Sequence, residues 1–162
     1  MKKQILIVLL LGLVLGCNSN KEEAKIDKEL ESKRILRTID NWNEGWGKKD
    51  VELAISDYSE ETDWTNAFGD RMQSKSELRQ LLTEIFAMDF VMNGVDNYVN
   101  DNVQFLTDDI ALLRSTNIRT GQKWSDGTLM NDRYIHHLRV YQKINNEWKI
   151  TDHMISQAHE KK

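Results

Sequence analysis

Asp63, His137 and His153 are the side chains of this sequence with the types and spacing to move a proton. Asp63 opens a β-type run, Asp63-Trp64-Thr65-Asn66-Ala67-Phe68, which stops at Gly69. Facing an apolar pocket, its carboxyl would be desolvated, its pKa raised, and it could serve as a general acid or base. At a strand end in water it is an ordinary capping carboxylate. His136 and His137 are neighbours, and successive strand residues point to opposite faces, so only one can enter a given pocket. If Asn145-Asn146 is a two-residue hairpin turn, Ile144 opposes Glu147. That register sets Arg139 opposite Asp152, His137 opposite Met154 and Leu138 opposite His153. One face then holds His137, Arg139, Tyr141, Trp148, Ile150 and Asp152. Such a face is either a polar pocket floor with a His, Asp and Arg set, or a cross-strand ion pair beside an aromatic patch. A one-residue shift would reverse the face that a strand presents.

Aromatic residues could shape the pocket around these groups. There are five tryptophans, at 42, 46, 64, 124 and 148. Trp42 and Trp46 stand at helical spacing and are expected in the core. Tyr58, Trp64 and Phe68, with Asn66, Arg139 and Tyr141, are the candidate ligand-binding set for a small, partly apolar molecule. Trp124, beside Ser125-Asp126-Gly127, suits a pocket mouth or a dimer edge. No pair of histidines has metal-ligand spacing on one face, and His159 lies in the polar tail, so no metal is expected. No phosphate-binding or dinucleotide glycine pattern occurs, so no nucleotide cofactor is expected.

The elements that must position these groups follow from periodicity. Ile35, Ile39, Trp42 and Trp46 recur at i, i+4, i+7 and i+11, which predicts a helix over 26–46 ending near Gly45 and Gly47. Asp50 can cap a second helix from Val51 to about Tyr58. A short strand over 63–68 comes next. Ser74-Lys75-Ser76-Glu77 has the capping-box spacing and opens a third helix through Leu78, Leu81, Leu82, Ile85 and Phe86. The second half changes to β-branched and aromatic runs at 98–106, 110–120, 134–144 and 148–157. Residues 121–132, with two glycines, form a longer loop or a strand extension. Helices followed by strands indicate an α+β domain, with helices packed on one face of an antiparallel sheet.

The first seventeen residues carry a different message. Met1-Lys2-Lys3 is positive, Ile5 to Gly16 is apolar, and Val14-Leu15-Gly16-Cys17 closes the run. The twelve apolar residues fall short of the roughly 20 that span a bilayer, and fit a secretory signal. Gly16-Cys17, with a branched residue upstream, resembles the lipobox of bacterial lipoproteins. The resemblance implies cleavage before Cys17, lipidation of its thiol and attachment to a membrane of the cell envelope. Lys21-Glu22-Glu23 is similar to the surface-export signal of Bacteroidetes lipoproteins, while an ordinary charged linker over 17–25 would read the same way. Cys17 is the only cysteine, so no disulfide can form within the chain. Loss of Lys2 and Lys3 with the signal takes the net charge from −4 to −6, which argues against nucleic acid as a partner.

Trp46 to Asp50, Tyr58-Ser59-Glu60-Glu61-Thr62-Asp63-Trp64, Asn66-Ala67-Phe68-Gly69 and the terminal Glu147-Trp148-Lys149-Ile150 together resemble the nuclear transport factor 2-like superfamily, most closely its SnoaL-like and SgcJ-type small domains. The resemblance spans about residues 30–158 and places one domain over 26–158. It implies an α+β fold whose curved, mixed or antiparallel sheet wraps around helices to form a cone-shaped pocket, and often a homodimer through the sheet. It leaves three functions open. One is an envelope protein whose pocket binds a small, partly apolar ligand. Another is a cofactor-independent acid/base enzyme, an isomerase, dehydratase or hydrolase. There Asp63 and either His137 or His153 would trade the proton while Tyr58 or Arg139 orients the substrate. The third is a protein-interaction module.

Overall fold

The computed structural model describes residues 26–157; the signal segment, Cys17 and His159 lie outside them. Helix α1 (Lys28–Lys48) begins at Asp27, whose carboxylate accepts from the backbone N–H groups of Glu29 and Leu30, and buries Ile35, Ile39 and Trp42 along one stripe. Lys49 closes it in the left-handed region. Helix α2 (Val51–Ala54) is capped by Asp50, as its spacing predicts, but ends well short of Tyr58. The two helices touch at Gly45. A Cβ there would lie 2.4 Å from the Ala54 nitrogen, so only glycine permits this approach.

Tyr58 belongs to strand β1 (Tyr58–Thr65), earlier than the expected strand at 63–68. The amide of Ile150 donates to the carbonyl of Asp57 and Tyr58 pairs with Ile150, which ends the helical turn and starts the strand. Strand β2 (Arg71–Met72) folds back on β1. Helix α3 (Lys75–Phe86) starts at Ser74, whose hydroxyl accepts from the Glu77 amide, and buries Leu78, Leu82 and Phe86. A single turn, α4 (Asp89–Met92), leads into β3 (Val95–Phe105), β4 (Ile110–Thr120), β5 (Arg133–Ile144) and β6 (Glu147–Gln157).

These strands form one mixed sheet in the order β2-β1-β6-β5-β4-β3. The β3–β4, β4–β5 and β5–β6 pairs are antiparallel, whereas β1 runs parallel to β6. Helix α1 packs on β3, β5 and β6 and α3 on β1, and the core gathers Ile35, Trp42, Tyr58, Leu82, Leu113 and Tyr141. Asn145 and Asn146 both have positive φ and turn the β5–β6 hairpin, with Ile144 opposite Glu147 as the two-residue turn requires.

That hairpin departs from its expected register in mid-strand. Tyr141 pairs with Ile150, but Val140 pairs with Asp152, leaving Thr151 as an extra residue. Beyond this bulge Arg139 faces His153, Leu138 faces Met154 and His137 faces Ile155. The expected partners, Arg139 with Asp152 and His137 with Met154, are therefore displaced by one. Because strand faces alternate, the bulge turns Asp152 outward and His153 inward.

Candidate functional site

The bulge assembles a buried polar chain. His137 and Arg139 alternate inward on β5, His153 does so on β6, and Tyr58 reaches them from the start of β1. The Tyr58 hydroxyl lies 2.6 Å from His153 Nδ1, and His153 Nε2 lies 2.9 Å from His137 Nδ1. Arg139 Nη2 approaches the same His137 Nδ1 at 3.5 Å, and its Nη1 donates to Ser115 Oγ at 3.0 Å.

Arg139 assigns the protons. A guanidinium only donates, so His137 Nδ1 must accept. His153 Nε2–H then donates to His137, and Tyr58 O–H donates to His153 Nδ1. The chain ends on His137 Nε2–H, a buried donor with no partner among the described residues. Burial first, then the charge of Arg139, holds both imidazoles well below their ordinary pKa, so both are neutral. Burial pushes the Tyr58 hydroxyl up as well, and Tyr98 and Tyr141 are pushed up to about 12.

His137 lines a cavity of about 140 Å³ between the helices and the sheet. Trp42, Trp46, Trp64, Tyr98 and Ile155 are among its apolar walls. Trp46 Nε1 and Trp64 Nε1 are also buried and unpartnered among the described residues. Part of the polar wall, Asp96, Asn117 and Arg119, is internally satisfied. Arg119 Nη1 donates to both Asp96 oxygens at 3.2 and 3.0 Å, and Asn117 donates to Asp96 at 2.7 Å. Arg119 also donates to the Asn93 and Val91 carbonyls. Among the described residues, three unpaired N–H donors thus share a cavity whose one carboxylate is occupied.

The candidates chosen from sequence divide cleanly. His137, His153, Tyr58 and Arg139 come together, and Trp64, Asn66 and Phe68 line the cavity. Tyr141 lies outside the lining; it is fully buried, and its hydroxyl hydrogen-bonds Thr38 Oγ1 at 2.6 Å. Asp63 does not join the histidines. It pairs with Asp152 on the outward side of the sheet, and Arg71 clamps it with two guanidinium nitrogens. That contact holds its carboxyl below the usual range, opposite to the rise expected of a pocket acid. Asp152 likewise faces out. Trp46, Tyr98 and Arg119 are cavity residues that sequence reasoning missed; Trp46 read as core because its spacing is helical. Among the described residues no three His, Cys, Asp or Glu side chains cluster as metal ligands.

No protein-family model matches the chain, and no curated protein matches it. Solved structures do. A hexachlorocyclohexane dehydrochlorinase LinA-type3 from Novosphingobium barchaimii aligns with a TM-score of 0.71 at 12% identity, over 81% of this chain and 89% of that one. A protein with a cystatin-like fold from Caulobacter vibrioides gives 0.70 at 13% identity, over 79% and 89%. A ketosteroid isomerase-like protein from Erwinia carotovora gives 0.66 at 16% identity, over 83% and 100%. The chain has the nuclear transport factor 2-like, cystatin-like fold that its sequence resembles.

Proposed function

We propose that this protein binds a small, partly apolar molecule bearing a hydrogen-bond acceptor, in the cavity beneath Trp46, Trp64 and His137. One observation carries the reading: three buried N–H donors on one cavity lack partners among the described residues. A buried unpaired donor costs about 1–3 kcal/mol, and an acceptor oxygen on a ligand would recover part of that. The acid/base alternative called for a carboxylate beside an imidazole. Here the imidazole's neighbour is another neutral imidazole, and Asp63 is bound to Arg71. His137 therefore serves in this reading as a donor rather than as half of an acid/base pair. Placement at the cell envelope through a lipidated Cys17 is part of the proposal and rests on residues 1–17. So is a homodimer through the outer sheet face, where Leu112 pairs with Val140 and Leu138 with Met154.

Two probes of nearly equal size test the pocket. A cavity near 150 Å³ accepts a benzene-sized guest. Benzaldehyde carries an acceptor oxygen and toluene does not. Benzaldehyde should bind more tightly and shift the indole N–H resonances of Trp46 and Trp64. The Trp148 indole, which already donates to Glu31 at 2.5 Å, should stay in place. Equal affinity, or no movement of the Trp46 and Trp64 signals, would overturn the reading. Mass spectrometry of the membrane fraction tests the anchor, since an intact Met1 terminus would exclude it.

A further inference from the structure

The cavity continues outward. Phe68, Val91, Arg133 and Gln157 line it and also line a larger surface groove of about 720 Å³. Trp124 and Leu129 belong to the groove alone. Phe68, Trp124 and Leu129 are 80%, 57% and 65% exposed, so large apolar side chains ring one opening. The inner space holds about a benzene's volume, and a longer guest has to emerge through this neck.

One guanidinium stands behind the inner end and another lines the neck, with Asp96 on the cavity wall and Asp132 on the groove. Behind His137 stands Arg139, 1% exposed, whose hydrogen-bond partners Ser115 and His137 are neutral. Asp101 is within electrostatic reach of this guanidinium but forms no hydrogen bond with it among the described residues, so an anion at the far side of the imidazole would add to its compensation. At the neck, Arg133 donates to Gln157 and Gln122, again neutral groups. Burial and the neighbouring Arg119 lower its pKa, against the opposing pull of Asp96.

We propose that cavity and groove are one elongated site for a medium-chain aliphatic carboxylate. Its head accepts from His137 Nε2–H and the buried indoles, and its tail leaves past Phe68 and lies along Trp124 and Leu129. This rests on the pocket reading above and adds the ligand class. The occupant follows from continuity: the groove shares four walls with the cavity, and Phe68, Trp124 and Leu129 offer a tail exposed apolar surface beside Asn131 and Asp132.

The test titrates the full chain by calorimetry with hexanoate, octanoate and decanoate, below their micelle concentrations, and with the methyl ketones of equal length. Affinity should rise about fourfold per methylene, the value of one buried CH₂. Carboxylates should bind about tenfold more tightly than ketones, since charged acceptors make the stronger bonds. Trp124→Ala combined with Leu129→Ala should flatten the rise with chain length. Affinity independent of chain length, or equal for ketone and carboxylate, overturns the proposal. A dimer by light scattering that this double variant converts to monomer assigns the groove to a second copy and overturns it too. If benzaldehyde binds but no alkanoate does, the ligand class fails while the pocket stands. If neither binds, both fail.

Discussion

His137 and His153 meet ring to ring, with 2.9 Å between Nδ1 of one and Nε2 of the other and ring centroids 5.1 Å apart. A single proton lies between them, and protonating either would set a cation beside Arg139 in a buried site.

Stability should therefore fall as pH drops through the imidazole range. Both folded pKa values lie below the unfolded value of about 6.5, so the neutral pair stabilises fully above that pH. Below it the unfolded chain takes up protons that the folded chain resists. Each histidine contributes a slope of up to about 1.4 kcal/mol per pH unit. The urea midpoint should drop between pH 7.5 and 5.5, and His153→Gln should reduce that drop. Asp63, depressed by Arg71, acts near pH 4 and below, outside this window. A level midpoint across the interval would mean that the histidines are not buried as a pair.

Asp63→Asn should change little. Its partner Arg71 is more than half exposed, and such pairs contribute about 0–1 kcal/mol. Benzaldehyde affinity should be unaltered. A tenfold loss would return Asp63 to the site.

Tyr58→Phe removes the hydroxyl that donates to His153 Nδ1 and leaves that acceptor buried and unpaired. The expected cost is about 1–3 kcal/mol, read from urea denaturation. The ring still packs on Trp42 at 5.9 Å, so the variant should fold. A cost near zero would show that the hydroxyl does not serve the chain of protons.

Gly45→Ala tests the joint between α1 and α2. The new methyl would meet the Ala54 nitrogen and Cα at 2.4 and 2.7 Å, and backbone cannot step aside as a flexible side chain does. Overpacking of this kind costs about 1–3 kcal/mol or more. Unchanged thermal stability would mean that the helices separate freely. Gly47, with nothing within 4 Å, is the neutral control.

Much of the scaffold was legible in the residues. The Ser74 and Asp50 caps, the α1 stripe, the Asn145-Asn146 turn and the bounds of β4 all obey local rules that need no partner. Strand β1 was misplaced because Glu60 and Glu61 obscure its alternation and because its pairing partner lies about ninety residues away. The site was half legible. His137 and Arg139 share a face by simple alternation, but His153 joins them through a bulge at Thr151, for which neither glycine nor proline gives a signal. Asp63 was legible as a carboxylate on a strand; its union with Arg71 needed the β1–β2 turn in three dimensions.

The parallel pairing of β1 with β6 has a kinetic consequence. Tyr58 and His153 are separated by 95 positions, and among the described residues β1 has no long neighbour other than β6. Such distant pairings slow folding, because a large loop must close before any contact rewards it. As the chain grows from its N-terminus, α1, α2 and β1 emerge first and wait for the last strand to be made. Until residues 147–157 arrive, the half-built sheet presents an open edge at β1, and neither the imidazole pair nor the cavity above it exists. The proposed site is the last part of the described fold to be completed, and a chain cut short before β6 would lack His153, Ile155 and Gln157.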